Sequence, residues 1–168
     1  MRELALNVLD IAENSLAAGA KLIGISLSFD TAKDTMRIEI DDDGCGMDEE
    51  TLRKVTDPFT TSRKTRSVGM GLPLFKYSAE SAGGSFSIAS QKGKGTKVCA
   101  EYRIGHIDRM PLGDFGGVVL QLVTMNPKVD FCISVTDGEH SGVLDTREVK
   151  SVLGEDIPLG APEVRAFL

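Results

Sequence analysis

Asp41-Asp42-Asp43-Gly44-Cys45-Gly46-Met47 is the stretch of this sequence that decides the fold. It comes directly after residues 36–40, which have the alternating pattern of a strand. Paired glycines in such a stretch let the backbone approach a flat ligand closely, because glycine has no Cβ. We therefore predict an acidic, ligand-binding loop at residues 41–47, followed by a short helix at residues 48–55.

The same stretch comes close to the pattern of a calcium-binding EF-hand loop. The residues at its positions one, three, five, six and twelve would be Glu39, Asp41, Asp43, Gly44 and Glu50. However, the first position holds glutamate where aspartate is expected, and the apolar eighth position is Gly46. The preceding residues also have the pattern of a strand where a helix is required. These three features argue against calcium.

Helices and strands alternate outward from this stretch. We predict helices at residues 4–17, 48–55 and 72–82, and strands at residues 22–29, 36–40, 85–90 and 96–104. Residues 56–68 are polar, basic and unpatterned, and we expect a mobile loop there. Neighbouring strands can pair as antiparallel hairpins, so the order predicts a two-layer α/β sandwich.

The composition is that of a folded, acidic chain. With 168 residues, 41% of them hydrophobic, the chain suits one domain, or one domain with a small extension. Its net charge of −6 argues against a nucleic-acid surface. No run approaches the ~18 apolar residues of a membrane span, and the N-terminus lacks the features of a signal peptide. We expect a cytoplasmic protein without membrane contact, whose three separated cysteines are reduced structural thiols.

The first predicted helix carries a polar stripe. Asn7, Asp10 and Asn14 share one face of a helix that is otherwise mostly apolar. Such a stripe is usually a solvated edge. It can also line a pocket, where an asparagine oxygen ligates Mg²⁺ and a carboxylate acts on water. The helix alone leaves both interpretations open.

Five short motifs resemble, in order, the motifs of the GHKL superfamily, which includes gyrase, MutL, the large heat-shock chaperones and sensor histidine kinases. Residues 13–20 and 42–47 resemble the N box and the D-x-G-x-G box of MutL-type members. Residues 57–62 and 69–72 resemble the F box and the G-x-G-L box of sensor kinases, and residues 83–96 resemble their closing G-x-G-T element. One such motif alone is weak, but five in the family's order are specific.

The resemblance covers residues 3–104 and implies a Bergerat ATP-binding fold, with a mixed, mostly antiparallel sheet and helices on one face. We therefore expect an ATP-binding domain at residues 1–104 and a small α/β extension at residues 105–168. The family's motifs place the following residues at the nucleotide: Asn14, Asp42, Gly44, Gly46, Met47, Phe59, Thr60, Thr61, Arg63, Lys64, Gly69, Met70, Gly71, Leu72 and Thr96.

The resemblance also implies roles for these residues. Asp42 would accept a hydrogen bond from the adenine amino group, with Thr96 supporting the same edge of the base. Gly69 and Gly71 would offer backbone N–H groups to the phosphates at the start of a helix. Asn14 would ligate Mg²⁺. The basic residues 63, 64 and 66 would offset the triphosphate charge, although for each one a solvated loop charge is an equally good interpretation.

Asp10 is where this sequence departs from the family. Hydrolysing members carry glutamate four residues before the motif asparagine, and this chain has the shorter aspartate. A general base must come within hydrogen-bond reach of its proton, so a shorter side chain predicts slow Mg²⁺-dependent hydrolysis, or a site suited to phosphotransfer or sensing.

The extension lies outside the resemblance. We predict a helix at residues 112–124, a strand at residues 129–135, a short strand near Val143, and helices from Thr146 and Pro162. His106 begins a segment whose spacing is similar to the phosphoacceptor motif of sensor kinases, but the order of the segments is reversed and Ile107 replaces a carboxylate. We interpret His106 as structural, with phosphorylation as the less favoured alternative.

Three functions follow from these observations. The first is a slow ATPase or ATP-driven regulatory switch, and the second is a protein kinase, either detached from a two-component system or similar to anti-sigma kinases. The third is a non-catalytic sensor of ATP against ADP. Each requires a protein partner that the sequence does not identify, and a homodimer is an expectation because gyrase and MutL dimerise on ATP. We also expect a role in regulation of the kind found in bacteria.

Overall fold

The computed structural model describes residues 3–57, 70–154 and 156–168. Its helices are α1 (Leu4–Ala17), α2 (Glu49–Val55), α3 (Gly71–Ser81), α4 (Phe115–Met125), α5 (Thr146–Leu153) and α6 (Pro162–Arg165). Its strands are β1 (Leu22–Asp30), β2 (Thr35–Asp42), β3 (Ser85–Gln91), β4 (Gly95–Arg103), β5 (Asp130–Thr136) and β6 (Ser141–Asp145).

The strands form one sheet in the order β3-β4-β2-β1-β5-β6. The pairs β1–β2, β2–β4, β3–β4 and β5–β6 are antiparallel, and β1–β5 is parallel. The predicted hairpins are thus present within a mixed, mostly antiparallel sheet.

One face of the sheet is apolar because alternate residues of each strand point to the same side. On β1 and β2 these residues include Ile23, Ile25, Ile38 and Ile40, all nearly fully buried. Helices α1, α3 and α4 pack together in contact with the strands, and their buried residues join the same hydrophobic core. The predicted α/β sandwich of the Bergerat type is confirmed.

The extension continues this sheet. The whole of β5 pairs with residues 22–28 of β1, α4 packs against α1, and the buried Thr146 Oγ1 accepts a hydrogen bond of 2.9 Å from the Phe131 backbone N–H. The division of the chain at residues 104 and 105 stays a prediction, since residues on both sides of it share one hydrophobic core.

Two predicted boundaries were wrong. β2 extends to Asp42, so Asp41 and Asp42 belong to the strand and not to the loop, because β1 and β4 pair with β2 up to that residue. Helix α4 begins at Phe115 and not at residue 112, because the Asp114 side chain caps it by accepting from the Gly117 N–H at 2.8 Å.

Candidate nucleotide-binding site

The Asp42 carboxylate lies at the end of β2, on the sheet face that packs against the helices. Both of its oxygens accept hydrogen bonds within the chain. The Ser15 hydroxyl on α1 donates to Oδ2 at 2.6 Å, and the Gly44 N–H donates to Oδ1 at 2.9 Å. These two donors fix the plane of the carboxylate before any ligand arrives.

The glycine loop after Asp42 is held against the turn between β3 and β4. The Met47 N–H donates to Ser90 Oγ at 2.8 Å, and the Gly93 N–H donates to the Cys45 carbonyl at 2.6 Å. Gly46 has φ +64°, and a Cβ there would lie 2.0 Å from the Gln91 carbonyl oxygen. This position therefore requires glycine both for its backbone angle and for its contact.

Gly44 lies where the loop passes close to α1. A Cβ on Gly44 would lie 2.9 Å from the Ala18 Cβ, so a side chain would push the loop away from the helix. The Thr96 hydroxyl is 2.8 Å from Ser90 Oγ, which joins β4 to the same network.

A cavity of about 320 Å³ opens between α1, the glycine loop, α2 and β4. This volume lies within the range of small-ligand sites. Six of the residues predicted from the sequence line it: Asn14, Asp42, Gly46, Met47, Leu72 and Thr96. Ile11, Ala18 and Val98 add apolar surface to this lining, and a lining that is partly apolar and partly polar suits a flat aromatic ring with a polar edge.

The polar stripe of α1 divides into three environments. Asn14 lines the cavity, Asn7 is buried and Asp10 is exposed. Within the described ranges, the Nδ2 atoms of Asn7 and Asn14 are buried without a hydrogen-bond partner. A buried amide without a partner costs about 1–3 kcal/mol, so the Asn14 amide fits a site completed by a ligand.

Helix α3 begins beside this stripe. A Cβ on Gly71 would lie 3.1 Å from the Asp10 Cβ and 3.8 Å from Asn14 Nδ2. The first turn of α3, Asp10 and Asn14 are therefore neighbours, although Asp10 does not line the cavity. Met70, just before the helix, is exposed.

The remaining predicted site residues lie outside the described residues. They are Phe59, Thr60, Thr61, Arg63, Lys64 and Gly69. The predicted mobile loop at residues 56–68 also lies mostly there.

Sequence analysis missed several residues of the site. Ser15 is the most important of them, because it positions Asp42, and Cys45, Thr51 and Lys92 also line the cavity. A hydroxyl beside Asn14 on a mostly apolar helix was the available signal for Ser15. Nothing in the sequence indicated that Lys92 lines the cavity, because a lysine in a hairpin turn is usually solvated.

Asp48 also borders the cavity but has a structural role. Its side chain caps α2 by accepting from the Thr51 N–H at 2.8 Å. That hydrogen bond holds the pKa of the Asp48 carboxyl below its usual range.

The residues of the calcium interpretation have other partners. Glu39 pairs with Arg37 and Lys97 on neighbouring positions of the sheet. Asp43 Oδ1 accepts from the Lys21 N–H at 2.7 Å and from the Leu22 N–H at 3.0 Å, and backbone donors of this kind lower the pKa of its carboxyl. Asp43 thus anchors the loop to the start of β1.

His106 lies in a turn after β4. Its Nδ1 atom accepts a hydrogen bond of 3.2 Å from the Asp108 N–H, and its ring lies close to Gly83. These contacts agree with the structural interpretation of this histidine.

The protein combines a mixed sheet, helices on its apolar face, and a carboxylate in a cavity beside a glycine loop. These features are typical of α/β sandwich proteins that bind nucleotides. The sequence model of the histidine kinase-, DNA gyrase B-, and HSP90-like ATPase family matches residues 1–105. The chain belongs to this family, and membership supports a function of the ATP-binding ATPase or kinase type.

Curated relatives are sensor kinases. The chain is 29% identical over 96 residues to sporulation kinase E of Bacillus subtilis, covering 57% of this chain and 13% of that protein. It is 30% identical over 95 residues to the signal transduction histidine-protein kinase AtoS of Escherichia coli, covering 56% and 15%. The chain therefore spans only a small part of the length of these relatives.

Two solved structures have a similar fold. The N-terminal domain of a DNA repair protein matches with a TM-score of 0.62 at 16% identity, over 92% of this chain and 58% of that one. The MutL ATPase domain of Aquifex aeolicus in complex with ADP matches with a TM-score of 0.50 at 16% identity, over 89% and 68%. At this identity the match establishes the fold alone.

Within the part of the chain that the structure describes, no helix has the length and hydropathy to cross a bilayer.

Proposed function

We propose that this chain binds ATP together with Mg²⁺ in the cavity at Asp42 and acts as a slow ATPase or ATP-driven regulatory switch. The observation that carries the proposal is the Asp42 carboxylate, fixed at the cavity floor by Ser15 and Gly44. A carboxylate fixed in this way is an acceptor ready for the amino group of adenine.

The same carboxylate would discriminate against GTP. Guanine carries a carbonyl oxygen where adenine carries its amino group, and a carbonyl cannot donate to a carboxylate. A site built to hydrogen-bond one group rejects an analogue that lacks it, here because the guanine carbonyl oxygen and the carboxylate oxygen are both acceptors and repel each other. Thr96 would support the same edge of the base.

Asn14 would contribute the protein's ligand to Mg²⁺. Its side chain lines the cavity, and a side-chain amide oxygen is a type of ligand that Mg²⁺ accepts. When bound, Mg²⁺ would offset the negative charge of the triphosphate. The first turn of α3, next to Asn14 at Gly71, would offer backbone N–H groups to the phosphate oxygens.

Asp10 would act as the general base for slow hydrolysis. It is one turn before Asn14 on the same helix, beside the start of α3, and its side chain is exposed. We expect Mg²⁺-dependent phosphate release that falls to background in Asp10→Asn. Glu13→Gln, an exposed change on the same helix, should keep the wild-type rate. If both variants release phosphate equally fast, Asp10 is not the base.

A titration with ATP, ADP and GTP, with and without Mg²⁺, tests nucleotide recognition. Wild type should prefer ATP to GTP, and Asp42→Asn should lose that preference. Asp41→Asn is the matched control, because Asp41 is the neighbouring strand residue on the opposite, exposed face. Unchanged binding in Asp42→Asn, or equal losses in both variants, would contradict the proposal.

Phosphotransfer to a partner protein is the second candidate. It is favoured by the similarity to sporulation kinase E and AtoS, both named as kinases. Incubation with labelled ATP and candidate partners separates the functions: free phosphate supports the ATPase, and a labelled partner supports the kinase. Tight binding with neither product supports a sensor of ATP against ADP. The partner, and a homodimer formed on ATP, remain proposals in each case.

A further inference from the structure

The end of the chain forms an apolar groove that the proposed nucleotide site does not use. It lies between α5 and the C-terminal segment, and its volume is about 770 Å³. Val149, Val152, Ile157, Val164 and Phe167 are among the residues that line it. The groove belongs to the extension, on the side of the sheet where β5 and β6 lie, whereas the nucleotide cavity lies at β2 and β4.

The apolar side chains of this groove are unusually exposed. Val152 is 85% exposed, Phe167 is 92% exposed and Ile157 is 46% exposed. Single exposed apolar residues are common, but these three line the same concave surface, and exposed apolar residues that lie together are typical of surfaces that bind a partner. Helix α5 is eight residues long, about 12 Å, so the groove matches two to three turns of another helix.

The charges at the rim indicate which occupant fits. Glu148 and Glu163 both line the groove, both are exposed, and neither has an ion pair within the described residues. Of the nearby basic residues, Arg147 and Lys150 pair with Asp145 and Asp130, and Arg165 on α6 does not line the groove. The free charge beside the apolar surface is therefore mainly negative.

This negative rim disfavours two alternative occupants. A second copy of the chain would bring its own acidic rim against this one, and like charges in contact oppose association. The rim would also repel an anionic lipid surface, which attracts basic segments. A helix whose apolar face is flanked by lysine or arginine is complementary both to the apolar lining of the groove and to its negative rim.

We propose that this groove, here called the α5 groove, docks an amphipathic helix of a partner protein with basic flanks. Its apolar face covers Val152, Ile157 and Phe167, and its basic side chains meet Glu148 and Glu163. The proposal is independent of nucleotide binding, because no residue of the α5 groove lines the nucleotide cavity.

The test uses two labelled synthetic helical peptides on the full chain, followed by fluorescence anisotropy. Both carry leucines along one face; one has lysines on its flanks and the other has glutamates. We expect the lysine peptide to bind about fivefold to tenfold more tightly, since exposed ion pairs contribute modestly, and we expect high salt to reduce the difference. The double variant Glu148→Lys with Glu163→Lys should reverse the preference.

Apolar variants complete the test. Val152→Ser and Phe167→Ser should each weaken the lysine peptide about tenfold, and both should fold because the two side chains are exposed. Tyr77→Ser is the matched control, since Tyr77 is 70% exposed on α3 and lies outside the groove. Equal binding of both peptides, or no binding of either, would overturn the proposal. Concentration-dependent dimerisation abolished by Phe167→Ser would also overturn it, by assigning the groove to a second copy.

Discussion

Ser15→Ala should weaken ATP binding without unfolding the protein. The Ser15 side chain is 3% exposed, and its hydroxyl donates to Asp42 Oδ2 at 2.6 Å. A hydrogen bond to a charged group contributes about 1.5–3 kcal/mol. Asp42 keeps its second hydrogen-bond donor, the Gly44 N–H, so we expect its carboxylate to stay near the cavity but to change its orientation. If about half of that energy is expressed in binding, the dissociation constant for ATP rises about fourfold to twelvefold.

The assay for this prediction is calorimetric titration with ATP, beside urea unfolding of each variant. Ser78→Ala is the matched control, because Ser78 is also a buried serine, whose hydroxyl is 3.0 Å from the Tyr102 hydroxyl and away from the cavity. We expect it to lower the free energy of unfolding while keeping the ATP affinity of wild type. Equal ATP affinity in Ser15→Ala and wild type would refute the idea that Ser15 positions Asp42.

Three further predictions concern the loop, the extension and the core. Gly46→Ala should abolish nucleotide binding, because its Cβ would collide with the neighbouring turn. Gly142→Ala, on β6 and away from the cavity, should keep binding, because nothing lies within 4 Å of a Cβ there and its φ is not positive; a thermal shift with ATP measures both. Thr146→Val should lower the free energy of unfolding by about 1–3 kcal/mol in urea, since the buried Phe131 N–H loses its acceptor, and an unchanged midpoint would contradict this. Burial raises the pKa of the Tyr102 hydroxyl above its value of about 10 in the unfolded chain. The stability that this shift contributes is present below about pH 10 and is lost as the pH rises above it, so Tyr102→Phe should unfold less readily in alkali than wild type.

Much of the fold was predictable because its elements have local signals. The alternation of apolar residues on β1 and the run of helix formers in α1 gave both elements nearly to the residue. The parallel pairing of β5 with β1 had no such signal, because periodicity reports which residues share a face and not which strand lies beside them. The end of β2 was also missed, since acidic residues before glycine have the pattern of a loop, and it is pairing with β4 that keeps Asp42 in the strand.

The residues of the candidate site were also predictable only in part. Asn14, Asp42 and Thr96 could be predicted because each lies in a motif with fixed spacing, and the structure brings all three to one cavity. Ser15 and Lys92 were missed, since their contacts in the site depend on which segments meet in three dimensions. Asp10 has the expected place on α1, one turn before Asn14 and beside the start of α3, but it is exposed and is not among the residues that line the cavity.

The central claim is that Asp42 recognises the amino group of adenine. The most direct test compares the affinities of ATP and purine riboside triphosphate, which lacks that amino group, for wild type and Asp42→Ala. Wild type should bind ATP more tightly than the analogue by about tenfold or more, as expected for a hydrogen bond to a charged acceptor. Asp42→Ala should bind the two nucleotides equally. If the variant still prefers ATP by the same factor as wild type, another group recognises the base and the account of this site is wrong.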